Sequence, residues 1–369
     1  MTFPLIFIAL MSHNISVSEL GVFFICQSSA YWLSLLFDFG MIRHGVILVN
    51  SGRLNNYNEV FYVQIVLFIS IVLFTSLLNG YFELFENKNV FFVISYAFLN
   101  SAIPRWAFQA KGKIFLLTKI ESISRVVCLC VIFLINPSEL YTYQLSLLGQ
   151  LSFVYVLSLI VFRSNMKFKV KMAHSLGCFC DSKLVFLSRC FGGLALHGNT
   201  LLIGGVLSPT HAAIYATCEK VVKALTSVTA SIGEATYPMF VTTMNKKLYR
   251  ELLIISSTIP ILLSIISAFI LPTIMEYCFN FDVIYADLLY VMLISVVFYT
   301  LSSSISLVKL VATLKYRDEL ATQVVFGSVS VIFSILLLNV HGIYGAAVSY
   351  ALASVLSFLV ILSKTKGEL

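Results

Sequence analysis

The sequence predicts an all-α integral membrane protein of about twelve transmembrane helices, and three observations carry that prediction. Of its 369 residues, 59% are hydrophobic and only 11% are charged, where a soluble domain carries roughly 25% charged residues. The mean hydropathy is +0.95. The apolar residues fall into separate runs of about 20, the length a helix needs to cross the hydrocarbon core, and short polar loops divide them. A transmembrane barrel would instead alternate with period two.

Taken in order, the runs are 1–11, 20–42, 60–79, 90–108, 114–135 and 141–162, then 184–207, 212–240, 252–272, 283–307, 321–339 and 343–362. The first run is about half the length of a span, so an abbreviated first helix is expected. The longest polar interval, 163–183, is basic and divides an N-terminal six-helix half, 1–162, from a C-terminal half, 184–369. A weak internal match accompanies this division. The residues from Glu19 to Cys26 open the second helix as those from His211 to Cys218 open the eighth; the fifth and eleventh helices both begin at a lysine (Lys113, Lys315) and end at an asparagine (Asn136, Asn339). Duplication explains the near-constant offset, and chance similarity among apolar helices is the alternative; transporters built of parallel repeats place the substrate site between the halves. Pro104, Pro238, Pro260 and Pro272 mark helix ends or bends.

Loop charge sets the orientation. One side of the predicted topology carries fifteen Lys and Arg residues, the other only Lys88 among Glu83, Glu86, Glu139, Glu276 and Asp282. The basic side is cytoplasmic by the positive-inside rule. Topology therefore accounts for the formal charge of +7, and no nucleic-acid partner is expected. The eight cysteines are scattered, and Cys178-Phe-Cys180 lacks the second pair or histidine cluster that a zinc site needs, so a structural or incidental role is expected and no metal. Met1-Thr-Phe-Pro-Leu lacks the basic start of a secretory signal, so no cleavage is expected.

Ionisable residues inside apolar spans are the candidate functional groups, because charge in a bilayer needs protein or water beside it. Arg43, Arg105, Lys119, Asp287 and Lys309 lie near helix ends, where snorkelling explains them. In 219–238, Glu219, Lys223, Ser227, Ala230, Glu234 and Tyr237 share one stripe with Lys220 beside it, as one wall of a hydrophilic cavity would require. The plainer reading is an i,i+4 pair in which Glu219 neutralises Lys223. Gln27, Tyr31, Ser34 and Asp38 form a polar face on the second helix, and Glu121 and Arg125 are an i,i+4 pair on the fifth. On the seventh helix Arg189, Gly193, His197, Thr200 and Gly204 align, as a binding face or as a close packing seam. His197 is read as either a structural hydrogen-bonded histidine or a group coupling transport to protons. The excess of Arg and Lys suits an anionic substrate such as phosphate or pyrophosphate. The chain contains no G-x-x-x-x-G-K-[ST], H-E-x-x-H or G-x-S-x-G motif, and catalysis is not expected.

Several segments resemble one family in order and spacing. Val17-Ser-Glu-Leu-Gly-Val-Phe23 with Asp38-Phe-Gly40, then Trp106-Ala-Phe-Gln109, then Ala213-Ile-Tyr-Ala-Thr-Cys-Glu-Lys-Val-Val-Lys223 with Tyr237-Pro238, and Gly342-Ile-Tyr-Gly-Ala-Ala347 resemble segments of the O-antigen flippases. These are the Wzx-type members of the multidrug/oligosaccharidyl-lipid/polysaccharide exporter superfamily. The resemblance implies a flippase that moves an undecaprenyl-pyrophosphate-linked oligosaccharide across the bacterial inner membrane by alternating access, with a cationic central cavity. It implies a place in lipopolysaccharide or other polysaccharide biosynthesis, with membrane lipid, a polysaccharide polymerase and chain-length proteins as partners, no cofactor, and H⁺ or Na⁺ coupling. On this reading Lys220, Lys223, Arg189 and Arg125 bind substrate, while Asp38, Glu121, Glu219, Glu234 and His197 couple or pair. The chain departs from the family pattern at Ala110 and Ala213, where glycine is usual, and in its short first helix. A cation-coupled multidrug exporter is the alternative, and a non-transporting scaffold for a polysaccharide assembly complex a third reading.

Overall fold

The computed structural model describes residues 3–54, 56–82, 86–165, 172–243, 246–279, 286–311, 313 and 315–365. Among them no strand occurs. The helices are α1 (Phe3–Asn14), α2 (Val17–Asp38), α3 (Met41–Asn50), α4 (Asn58–Phe82), α5 (Asn87–Ala102), α6 (Arg105–Ala110), α7 (Ile114–Ile135), α8 (Leu140–Val161), α9 (Met172–Asp181), α10 (Lys183–Gly193), α11 (Asn199–Val206), α12 (Pro209–Thr243), α13 (Lys246–Phe279), α14 (Ala286–Ile305) and α15 (Tyr316–Thr365). Two π-helical segments interrupt them, Leu194–Gly198 between α10 and α11 and Ser306–Val311 after α14.

Within the described residues each apolar run of the sequence falls mainly on helix. Among the described residues seven stretches are long and apolar enough to cross a membrane: Val17–Asn50, Asn58–Leu77, Asn87–Ala110, Leu140–Val161, Arg250–Ile270, Ala286–Leu310 and Tyr316–Thr365. The last covers two runs, because α15 turns at Gly342, whose φ of 55° and ψ of −139° lie in a region that side chains exclude. The remaining runs fall outside that measure for physical reasons: α7 and α12 carry ionisable residues within the span, α10 and α11 are divided by the π turn, and α1 has 12 residues.

The chain packs as two compact units, one of Met1–Ile25 with Phe191–Leu369 and one of Cys26–Cys190. The divisions fall within α2 and α10.

In the 26–190 unit an aromatic cluster ties α6 to its neighbours. Tyr57 lies edge-on to Trp106 at 4.9 Å and to Phe162 at 5.5 Å, and Phe108 meets Phe162 at 4.7 Å. All four are buried, so the Trp106-Ala-Phe-Gln109 segment is core, with large aromatic area removed from lipid and water alike. Outside the spans, burial pushes the Cys178 thiol up from its ordinary value while Cys180 is exposed.

In the other unit α1 buries Phe7, Ile8 and Met11 and packs on α12 and α13. Gly21 of α2 is pressed against the start of α12: a Cβ there would stand 1.8 Å from the Pro209 carbonyl oxygen. Since the obstacle is backbone, relief requires moving a helix. Gly21→Ala is expected to destabilise the protein by about 2–3 kcal/mol, read as a lowered thermal midpoint of the purified protein in detergent; an unchanged midpoint contradicts the close approach.

Candidate functional site

The sequence-predicted residues resolve into one cluster in each unit. In the unit formed by 1–25 and 191–369, α12 supplies Glu219 and Lys223 at i,i+4 on the face that meets the interrupted α10–α11 helix. Glu219, 4% exposed, accepts a hydrogen bond from Thr200 Oγ1 (2.8 Å) and pairs with Lys223. The Lys223 Nζ donates to the Leu196 carbonyl oxygen at 2.7 Å and lies 3.3 Å from His197 Nδ1.

The π turn explains why a lysine is wanted there. A π bulge accommodates an extra residue in the helix and turns a backbone carbonyl away from its usual i+4 donor, and an unsatisfied carbonyl at membrane depth costs several kcal/mol. Lys223 donates to one carbonyl of this segment, that of Leu196. Lys220, one residue round the helix, places its Nζ 5.9 Å from the centroid of the Phe24 ring, a cation–π contact that offsets part of the desolvation of the ammonium.

Next to this group lies a neutral polar network that the sequence reading did not single out. Asn199 Nδ2 donates to Tyr215 OH (3.0 Å) and Ser330 Oγ (3.2 Å), and Ser334 Oγ donates to Asn199 Oδ1 (2.8 Å). Asn199, Tyr215, Ser330 and Ser334 are fully buried. The available signals were an asparagine amid apolar residues and two serines at i,i+4 on α15; only the tertiary packing joins them.

The predicted face Arg189, Gly193, His197, Thr200, Gly204 assumed an unbroken α-helix, and the π turn changes its phase. His197 and Thr200 do reach α12. Gly204 instead makes a packing seam, where a Cβ would stand 2.4 Å from Ile25 Cδ1. Arg189 has its partner within the 26–190 unit. It pairs with Asp38, whose Oδ1 also accepts from the Ile42 N–H at 3.1 Å, satisfying one of the open donors at the start of α3.

Asp38-Phe-Gly40 is thereby a joint. Phe39 stacks on Phe186 at 4.1 Å, Ser182 Oγ donates to the Phe39 carbonyl at 2.8 Å, and Gly40, at φ 81°, leaves no space for a Cβ, which would lie 2.9 Å from the Phe186 nitrogen.

The second-helix face leads into a chain of polar contacts in the same unit. Tyr96 OH donates to Tyr31 OH at 3.0 Å, and Arg105 donates to the Asn100 carbonyl (2.8 Å) and its Oδ1 (3.3 Å). Glu121 takes Arg125 at 2.8 Å and Arg105 at 3.5 Å. Snorkelling does not account for Arg105, then; it shares the Glu121 carboxylate because α6 sets it against α7. Glu234 lies on α12, but its side chain is outside the described residues, as are those of Tyr237 and Pro238.

Counted together, Lys220 and Lys223 stand with one carboxylate, Glu219, and Arg105, Arg125 and Arg189 with two, Asp38 and Glu121. Each cluster has one more cation than carboxylate, on a scaffold that is otherwise apolar. Among the described residues no group of three or more His, Cys, Asp or Glu stands together as a metal site would need.

The fold is that of transporters of the MOP superfamily. An inward-facing structure of a multidrug resistance MATE family transporter aligns over 99% of this chain and 93% of its own, with TM-score 0.70 and 11% identity. The lipid II flippase MurJ aligns over 99% and 86%, with TM-score 0.69 and 14% identity, and a MOP superfamily transporter from Pyrococcus furiosus over 99% and 91%, with TM-score 0.65 and 12% identity. No curated protein sequence matches the chain. The model of the polysaccharide biosynthesis protein family matches residues 1–244, and the chain belongs to that family.

Proposed function

We propose that the protein is a secondary transporter, not an enzyme, that flips an undecaprenyl-pyrophosphate-linked oligosaccharide across the bacterial inner membrane. The unit carried is O-antigen or a related glycan, and H⁺ or Na⁺ coupling drives alternating access between two six-helix halves. The reading rests on one conjunction: a chain of the polysaccharide biosynthesis family sets Lys220 and Lys223, both half-buried, on a helix packed among apolar neighbours. Ammonium groups there meet a diphosphate with little competition from water, so each contact is stronger than at a surface. The MurJ likeness supports a lipid-linked glycan as substrate. Arg189 and Arg125 assist at their own positions. Asp38, Glu121, Glu219, Glu234 and His197 hold these cations in place or exchange ions during the cycle. A polysaccharide polymerase and chain-length proteins receive the product.

The decisive experiment places Lys220→Ala and Lys223→Ala in a flippase-deleted strain and measures surface polysaccharide at matched protein levels. Loss in both is expected; full export by both overturns the assignment. The MATE likeness keeps a cation-coupled multidrug exporter as the second reading. Drug resistance conferred without restoration of polysaccharide would select it.

A further inference from the structure

Within the 26–190 unit, α4 and α5 splay apart and leave a cleft of ≈ 810 Å³. Its walls carry Val72 and Ser76 on one side and Val90, Phe91, Ile94 and Ser95 on the other, and Phe68 lies at its foot. The foot is closed: the Phe68 ring is 4.4 Å from that of Phe98 and 5.9 Å from that of Phe37. At the other end Glu86 and Asn87 form the mouth. From Phe68 to Gly80 is twelve residues of helix, about 18 Å at 1.5 Å per residue, and one leaflet of hydrocarbon is about 15 Å deep. The cleft therefore runs from mid-membrane to one surface and stops. That surface is the side opposite the basic loops, which the positive-inside rule makes non-cytoplasmic.

We propose that this cleft holds one acyl chain of a phospholipid of the non-cytoplasmic leaflet, with the headgroup ammonium set against the Glu86 carboxylate. Three features select that occupant. The depth fits a single leaflet and not a longer chain crossing the midplane, where the aromatic floor stands. Between mouth and foot the lining offers two serine hydroxyls, Ser76 and Ser95, too few to match the many hydroxyls of a sugar. The mouth carries a carboxylate that forms no ion pair among the described residues, while the neighbouring cation, Lys88, lies over the Tyr141 ring at 5.5 Å. A carboxylate there repels a diphosphate, so the lipid-linked substrate of the transport reading is not the occupant, and a zwitterionic headgroup with a terminal ammonium is preferred over an anionic one. The inference is independent of what the protein transports.

Native mass spectrometry of the purified full chain, titrated separately with phosphatidylethanolamine and phosphatidylglycerol, tests it. One tightly held phosphatidylethanolamine is expected, retained about fivefold better than phosphatidylglycerol, as one exposed charge contact gives. Val72→Trp, which fills the cleft, should remove that bound equivalent. Glu86→Gln, at an exposed position that the fold does not use, should bring the two lipids to parity while keeping one of either bound. Equal retention of both lipids by the unaltered protein, or the same phosphatidylethanolamine stoichiometry in Val72→Trp, overturns the proposal.

Discussion

Asp38→Ala is expected to strip folded protein from the membrane, and Asp38→Leu combined with Arg189→Met to restore most of it. The single change leaves the Arg189 guanidinium, 24% exposed, without its carboxylate. Breaking a buried pair from one side costs about 3–5 kcal/mol, whereas replacing both partners by apolar groups is often nearly neutral. The single change also removes the acceptor for the Ile42 N–H, so recovery in the double variant stops short of complete by about 1 kcal/mol. The measurement is the monodisperse fraction in detergent and its thermal midpoint. Equal damage in single and double variants would show that the ion pair is not what Asp38 provides. A stable double variant that fails to export polysaccharide would put Arg189 in contact with substrate as well.

Lys223→Met should be the most disruptive change in the other unit, because three interactions converge on one ammonium. It pairs with Glu219, caps the Leu196 carbonyl and contacts His197. Glu219 then loses its direct ion pair and keeps its bond from Thr200 and the more distant charge of Lys220. Adding Glu219→Gln removes that charge and should recover stability except for the uncapped carbonyl, a residual of about 1–3 kcal/mol. The pair of variants separates structure from transport. If Lys223→Met/Glu219→Gln is well folded and still exports normally, Lys223 is a structural cap and the diphosphate contact is elsewhere. Folded and inactive is the outcome expected here.

The family segments acquire physical meanings that differ from one another. Leu20-Gly21 carries a glycine because α2 touches the backbone of Pro209. Asp38-Phe-Gly40 is a joint onto α10, Trp106 and Phe108 are core, and Gly342 is a turn. Only the Glu219–Lys223 segment combines a structural pair with a group suited to an anionic ligand. A resemblance assembled from short motifs thus reports mostly on how helices are fitted together, since tight packing constrains residue identity as strictly as binding does.

By itself the sequence determined the all-α, multi-helix membrane class, because hydrophobic run length acts locally and survives any rearrangement of the bundle. It also determined the i,i+4 pairs Glu121–Arg125 and Glu219–Lys223, which helical geometry alone brings together. The tertiary structure decided which helices share a charge. Arg189 goes to Asp38 across 151 positions of sequence and Arg105 joins Glu121, because the nearest countercharge in a bundle depends on packing that no period encodes. It decided, too, that α10 and α11 are separated by a π turn in which the Leu196 carbonyl accepts from Lys223. A backbone acceptor has no residue type to announce it, so that partner of the lysine could be found only where the chain had folded.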